Sequence, residues 1–521
     1  MFPHGTCNPM RARAPLLLFR QIYYMRQVSL CEVQYYRDRL RETRCLGGRM
    51  TRFVILLAVL ATPAWSQDSS LDYTQDYQRA ALTMFRDLIA MRTAEGHGKV
   101  PSMAAYLEKQ FLDAGFCANE VTILPHTLPG GEEVASLVVR YRGNGLSGKK
   151  PILLLAHMDI VDANPSDWER DPFNMIEEDG YFFGRGTIDN KLGIVSLTSA
   201  FQRLMREEFT PTRDLIIAFT GDEESHMETV RSLVNAHRAL VDAEFVLNAD
   251  SGHGFLDHDH NPVAFLLQSA EKTYATFELT IRNPGGHSSR PRADNAIYEL
   301  ATVLKNIEAY RFPARINDTT RDYFEKLSML VSGPGGQAMR DFVDDQDDEQ
   351  ARAVLEADPS QVGITRTTCV ATMLEAGHAE NALPQSATAT VNCRIFPGVS
   401  IESVRQRLIT VADNDELEIK TGSEGSPGPE SPPREDVAAS VANAIAVHYG
   451  DVPVINYMAA YGTDGTHTRI AGMPTYGASG LFMREEDMFA HGLDERVPVR
   501  SFYAVLDYWY AVLTDLGSAR P

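Results

Sequence analysis

Between residues 75 and 250 the chain alternates two hydrophobic rhythms. Stretches 77–92, 100–114 and 192–205 place apolar residues every three or four positions, the spacing of helices that bury one stripe. Among them stand short runs at 136–141, 151–156, 215–219 and 245–248, which read as strands. The last three runs are apolar without alternation, as strands covered by helices on both faces must be. The pattern predicts an α/β layer fold, a mixed sheet sandwiched by helices.

A different grammar starts near Glu271. A strand at 274–282, a helix at 295–310, strands at 367–374 and 387–396, a helix at 401–412 and a strand at 417–421 follow in ferredoxin-like order. The expected organisation is therefore a larger domain, residues 70–270 and 426–521, interrupted by a smaller α+β lid or dimerisation domain at 271–425. An insertion at 312–362 splits the smaller domain, and its acidic run 344–349 reads as a solvated helix face. The proline-rich stretch 426–433 reads as a linker.

Composition agrees with two domains, since 521 residues exceed what one core usually organises, and 44% hydrophobic with 23% charged residues is an ordinary globular mixture. Seventy acidic against 49 basic residues give a net charge of −21, which repels nucleic acid and anionic membrane surfaces. No nucleic acid partner is expected. Residues 50–66 combine a basic start, an apolar run at 53–61 and a small-residue cleavage site at Ala64-Trp65-Ser66, the anatomy of a secretory signal. The apolar run is too short for a membrane span, so the expectation is an exported protein, periplasmic or secreted, with no stable span after signal removal. The arginine-rich residues 1–49 ahead of it read as a misassigned extension, with Met50 as the true start. Residues 67–521 alone carry −28. In that body Cys117, Cys369 and Cys393 form no Cys-x-x-Cys, which excludes a disulfide scaffold. Cys369 and Cys393 can pair in an oxidising compartment, but the reading favours buried thiols.

Charged groups then fall at comparable places. His157-Met-Asp159, Glu223-Glu224 and Asp250 each follow an apolar strand, and in an open α/β sheet ligands gather beyond the carboxyl ends of strands. Asp189 stands in a glycine-flanked turn before a helix, and His491 in a loop near the far end. Two histidines and several carboxylates without cysteine suit Zn²⁺, or Mn²⁺ and Co²⁺. Asp222, inside Gly221-Asp-Glu-Glu224, reads as a solvated turn residue, and the histidine-rich stretch 251–260 as a polar loop.

With His157-x-Asp159, Gly184-Arg-Gly-x-x-Asp189-x-Lys191, Gly221-Asp-Glu-Glu224, Asn248-Ala-Asp250, Gly285-Gly-His287, Asn381-Ala-Leu-Pro384 and His491-Gly-x-Asp-Glu-Arg496 in this order, the sequence resembles the zinc-dependent aminoacylase and carboxypeptidase S family of co-catalytic metallopeptidases. The resemblance implies a di-metal site: His157 and Asp250 on one ion, Glu224 and His491 on the other, and Asp189 bridging through a cis peptide to Asn190. Two ions sharing a water would lower its pKa, with Glu223 as the proton shuttle and Asp159 receiving the other N–H of His157. The resemblance further implies that His287 reaches the substrate carbonyl and stabilises the tetrahedral oxyanion, that Asn381 and Arg394 contact the substrate, and that the loop 462–465 lies near the site, and it leaves both a monomer and a homodimer through the lid open. The branch most resembled is carboxypeptidase S, so the expected activity is amide hydrolysis in short peptides, of carboxypeptidase or dipeptidase type. N-acyl amino acid hydrolysis is the alternative. A catalytically silent binding protein would show a damaged base or ligand, and every one is intact.

Overall fold

The computed structural model describes residues 75–518. The expected signal at 50–66 and the stretch 1–49 lie outside the described residues. Strands Ile152–His157, Leu215–Thr220 and Phe245–Asn248 are buried at every position, which is why their sequences lack alternation. Each Leu, Ile or Phe placed there contributes roughly 1.5–3 kcal/mol by leaving water.

These strands run parallel to one another within a ten-stranded mixed sheet. Its order is Val121–Thr127, Glu133–Tyr141, Leu215–Thr220, Ile152–His157, Phe245–Asn248, Thr475–Gly477, Pro262–Glu271, His253–Leu256 and Phe482–Arg484, with Val454–Ala459 pairing on Pro262–Glu271. The helix Lys191–Arg206 and the C-terminal helix Val499–Gly517 bury Phe201, Phe502 and Trp509 in the same core as Phe85 and Leu154. Residues from both ends of the described chain thus share one core. Among the described residues no helix is long and apolar enough to cross a membrane.

Strand Pro262–Glu271 leads through Lys272 into Thr273–Arg282 of a second, four-stranded antiparallel sheet, ordered Thr368–Ala376, Ser386–Ile395, Thr273–Arg282, Glu418–Glu424. That is the ferredoxin-like order. Ser386–Ile395 alternates half-buried and buried positions, and its inner side packs with Leu300, Val303 and Leu408 from the helices Ala296–Ala309 and Ile401–Ala412. Cys369 and Cys393 stand directly opposite in this antiparallel ladder, Cα atoms 4.1 Å apart, and form a disulfide. The preference for free thiols was wrong, because register, invisible in spacing alone, makes them facing neighbours.

Two further expectations are corrected. The run 344–349 is not a helix face: the helix Pro334–Asp344 ends in it, and Asp348 caps the helix Glu349–Glu356 by accepting from the amides of Gln350 and Ala351 at 2.8 Å each. The stretch 426–433 is no loose linker either. Ser431 is buried, with its amide 2.8 Å from the Ser269 carbonyl and its hydroxyl 2.8 Å from that of Thr475. The inserted helices seat Phe324 and Phe342 on Ala264, Ala270, Ile455 and Met458, so they pack on the larger sheet.

Candidate metal centre

The three parallel strands end on one rim. His157 closes the first, Glu223 and Glu224 follow the second, and Asp250 stands two residues past the third. Asp189 reaches the rim from the turn before Lys191–Arg206, and the Asp189–Asn190 peptide is cis. His491 arrives from a loop in which its backbone is left-handed (φ 63°).

The five side chains converge. Asp189 Oδ1 lies 2.8 Å from His157 Nε2, and its Oδ2 lies 3.0 Å from His491 Nε2, so each oxygen of one carboxylate addresses a different histidine. His157 Nε2 is also 3.2 Å from Asp250 Oδ1, and His491 Nε2 is 3.0 Å from Glu224 Oε1. Ligand atoms around a tetrahedral ion with bonds of about 2.0 Å stand roughly 3.3 Å apart, close to these separations. Ligand atoms of His157, Glu223 and Asp250, and those of His157, Asp189 and Glu224, also lie within 4.8 Å of one another. The donor set and its spacing fit two divalent cations.

Charge is balanced by protons in this arrangement. Burial opposes a charge on His157, yet the charge of Asp250 and the hydrogen bonds that Asp189 and Asp250 accept from the ring hold its pKa well above the usual histidine range. Hydrogen bonds to Asp189 and Glu224 lift His491 to about 10. Burial pushes Asp250 up to about 7 despite His157, and burial with the charge of Asp250 pushes Glu223 well above the ordinary carboxyl range. For Asp189 the two histidines outweigh burial and lower it.

Asp159 meets the second ring nitrogen of His157, as expected, chiefly through its backbone carbonyl rather than its carboxylate. The ring Nδ1 of His157 faces the backbone carbonyl of Asp159 at 3.0 Å, and the Asp159 carboxylate accepts from the amides of Glu223 (3.1 Å) and Glu224 (2.9 Å). The carboxylate stays 3.4 Å from Nδ1, because it is aimed at the glutamate loop. Asp222 is likewise not solvated. It is buried and accepts from the amides of Glu228 (2.7 Å) and Thr229 (3.0 Å), tying that loop to the helix Glu228–Asn235.

Sequence reasoning gave no role to Glu495 or Asn190. Glu495 is fully buried, pairs with Arg185 at 2.6 Å and accepts from the amide of Ile188 at 2.7 Å, which clasps the turn carrying Asp189. Asn190 donates to Asp250 Oδ1 at 2.9 Å. Both sit inside motifs already quoted, beside His491 and Asp189, and that adjacency was the available signal. The stretch 251–260 is not a polar loop: strand His253–Leu256 and a hairpin turn occupy it, and His253 stacks edge-on with Phe255.

The remaining three predicted residues lie in the smaller sheet region. His287 pairs in a two-residue ribbon beside Asn381, whose carbonyl accepts from Ser288 at 3.0 Å, and its ring contacts are with Ser289. Arg394 is half-buried over the ring of Tyr274 at 5.0 Å. Among the described residues, none of their side-chain contacts reaches the metal centre.

The profile of peptidase family M20/M25/M40 matches residues 153–515. The chain is 29% identical over 375 residues to the N-fatty-acyl-amino acid synthase/hydrolase PM20D1 of Xenopus tropicalis, covering 70% of this chain and 72% of that protein. It is 26% identical over 394 residues to the probable carboxypeptidase S-like 2 of Dictyostelium discoideum, covering 73% and 75%. Among solved structures it superposes on the M20 family metallo-carboxypeptidase Sso-CP2 from Sulfolobus solfataricus with a TM-score of 0.62 at 17% identity, covering 84% of this chain and 99% of that one. The di-peptidase Dug1p from Saccharomyces cerevisiae gives 0.61 at 15% identity, covering 85% and 97%. At those identities the two structures speak for the fold alone.

Proposed function

The chain belongs to peptidase family M20/M25/M40 and is a hydrolase, and from that premise we propose that it cleaves the amide bond of short peptides, as a carboxypeptidase or dipeptidase does. The observation that carries this reading is the two-sided Asp189 carboxylate between His157 and His491, with the Glu223 carboxyl beside it engaged by no hydrogen bond among the described residues.

On this reading His157, Asp189 and Asp250 would hold one divalent ion, and Asp189, Glu224 and His491 a second, zinc by donor type with manganese or cobalt as substitutes. When bound, such ions would lower the pKa of a water and polarise the scissile carbonyl. Glu223 takes the water's proton and passes it to the leaving amine, and its burial in the site strengthens it as a base. Asp159 fixes the height of Glu223 and Glu224 through their amides. His287, Asn381 and Arg394 meet the substrate from the smaller domain, and Arg394 is a bidentate partner for its free carboxylate. The disulfide Cys369–Cys393 supports an oxidising, exported setting. The exposed apolar positions Val370, Met373 and Leu374 on the edge strand Thr368–Ala376 support a homodimer through this sheet.

One observation favours N-acyl amino acids as an additional or alternative substrate class. Met488, Phe489 and Leu493 flank His491 and are 38–55% exposed, an apolar margin beside the centre that suits an acyl chain. A relative named as an N-fatty-acyl-amino acid synthase/hydrolase points the same way.

The test is Glu223→Gln, with dipeptides and N-acyl amino acids assayed in parallel. Bound metal should stay at the parent level by elemental analysis while kcat falls at least about 1000-fold. Undiminished turnover would sink the mechanism, and the relative kcat/KM values of the parent decide between the two substrate classes.

A further inference from the structure

The segment 461–464 lies across the rim and touches the ends of the strands that carry the metal centre. Asp464 accepts from the Thr220 hydroxyl at 2.5 Å, and Thr463 accepts from the Asn248 side chain at 3.1 Å. Tyr461 places its hydroxyl 3.0 Å from Ser251 Oγ, on the residue after Asp250. Ser251 is buried, whereas Tyr461 is 40% exposed. The phenol is therefore anchored at its polar end on the metal-bearing rim, with part of its ring exposed.

Its hydroxyl rests on a neutral partner, Ser251, whereas the ligand set beside it is built largely of carboxylates, which repel an oxygen that gains negative charge. Burial raises the phenol's pKa, so it stays a neutral donor near neutral pH. Between the Ser251 and Tyr461 hydroxyls there is one contact and there are two protons, so one proton remains for a third partner. A group that never ionises is ill suited to protonate a leaving amine, which is the task of Glu223. It is well suited to an oxygen that becomes an oxyanion.

We propose that Tyr461 is a substrate-contacting residue whose hydroxyl donates a hydrogen bond to the carbonyl oxygen of the scissile amide, on the Asp250 side of the centre. The inference rests on the hydrolase reading with Glu223 as base and adds a further donor, on the larger domain, to the groups that meet the developing charge. The ring supplies a flat wall against which the acyl side of the substrate lies.

Tyr461→Phe removes the hydroxyl and leaves the ring. In the metal-loaded, full-length protein, kcat should fall about 10- to 1000-fold, with KM within about threefold of the parent. The second readout is equilibrium binding of a phosphinic peptide, a mimic of the tetrahedral oxyanion, measured by calorimetry. Its affinity should fall by a comparable factor, while that of the product amino acid holds. A Tyr461→Phe protein with kcat and phosphinate affinity within about twofold of the parent overturns the proposal. So does one that loses metal or melts more than about 5 °C lower, since the phenol would then be a structural pin. A parent that hydrolyses no member of the substrate panel and binds no phosphinate overturns the hydrolase reading together with this one, whereas an active parent matched by an equally active Tyr461→Phe overturns only this one.

Discussion

His491 and His157 stand among carboxylates that hold protons on them, and those protons are what metal ions must displace. A metal takes the neutral imidazole, and His491 in the metal-free protein titrates at about 10. At pH 7 metal uptake should therefore release about two protons per chain, one from each histidine, with a further fraction from Asp250, which sits at about 7. Calorimetry in buffers of different ionisation enthalpy reads this number, and uptake with no proton release would contradict the arrangement. The sign for stability follows from the same shift. The raised His491 stabilises the metal-free fold fully below its unfolded value of 6.5, and this contribution is lost as pH rises through about 10. Metal affinity runs oppositely and weakens as pH falls, so thermal melts of the two forms should diverge with increasing pH.

At the scale of the element, the edge strand Thr368–Ala376 has one neighbour, Ser386–Ile395, and carries Val370, Met373 and Leu374 exposed by 59%, 69% and 65%. A free, apolar edge invites a second strand, and a charge placed there forbids it. Met373→Lys should weaken self-association at least 10-fold by sedimentation velocity and leave the metal content unchanged. A parent that sediments as a monomer at every concentration would remove the dimer from the account. The same strand marks where the sequence was legible and where it was not. The aliphatic runs of Ile152–His157, Leu215–Thr220 and Phe245–Asn248 read as doubly covered strands, and that alone places the charges at their C-terminal ends on one rim. Thr475–Gly477 is three residues long, too short for any period to show, although it sits in the middle of the sheet. The disulfide depended on register, and the roles of Glu495 and of the Asp159 carboxylate depended on the path of the backbone around the glutamate loop and the Asp189 turn. Residue types at strand ends announce a ligand set, whereas what holds those ligands is decided by amides, which every sequence contains.

At the scale of the whole molecule the net charge of −21 creates a field that extends beyond any one contact. Two divalent ions would offset four of those charges and leave the surface strongly acidic. A dipeptide at neutral pH has no net charge, whereas an N-acyl amino acid carries one negative charge and must approach against that field. The Debye length is about 30 Å at 0.01 M salt and about 10 Å at 0.1 M, so added salt should shorten the repulsion before the substrate reaches the rim. For an N-acyl amino acid, kcat/KM should rise about 3- to 10-fold as ionic strength increases from about 0.01 to 0.2 M. For an uncharged dipeptide of similar size it should change less than about twofold. Steady-state kinetics with sodium chloride as the only variable separates the cases. A fall in kcat/KM for the anion would mean that the bound ions and Arg394 dominate the potential at the mouth of the cleft, and that the acidic surface lies too far from the path of approach to matter.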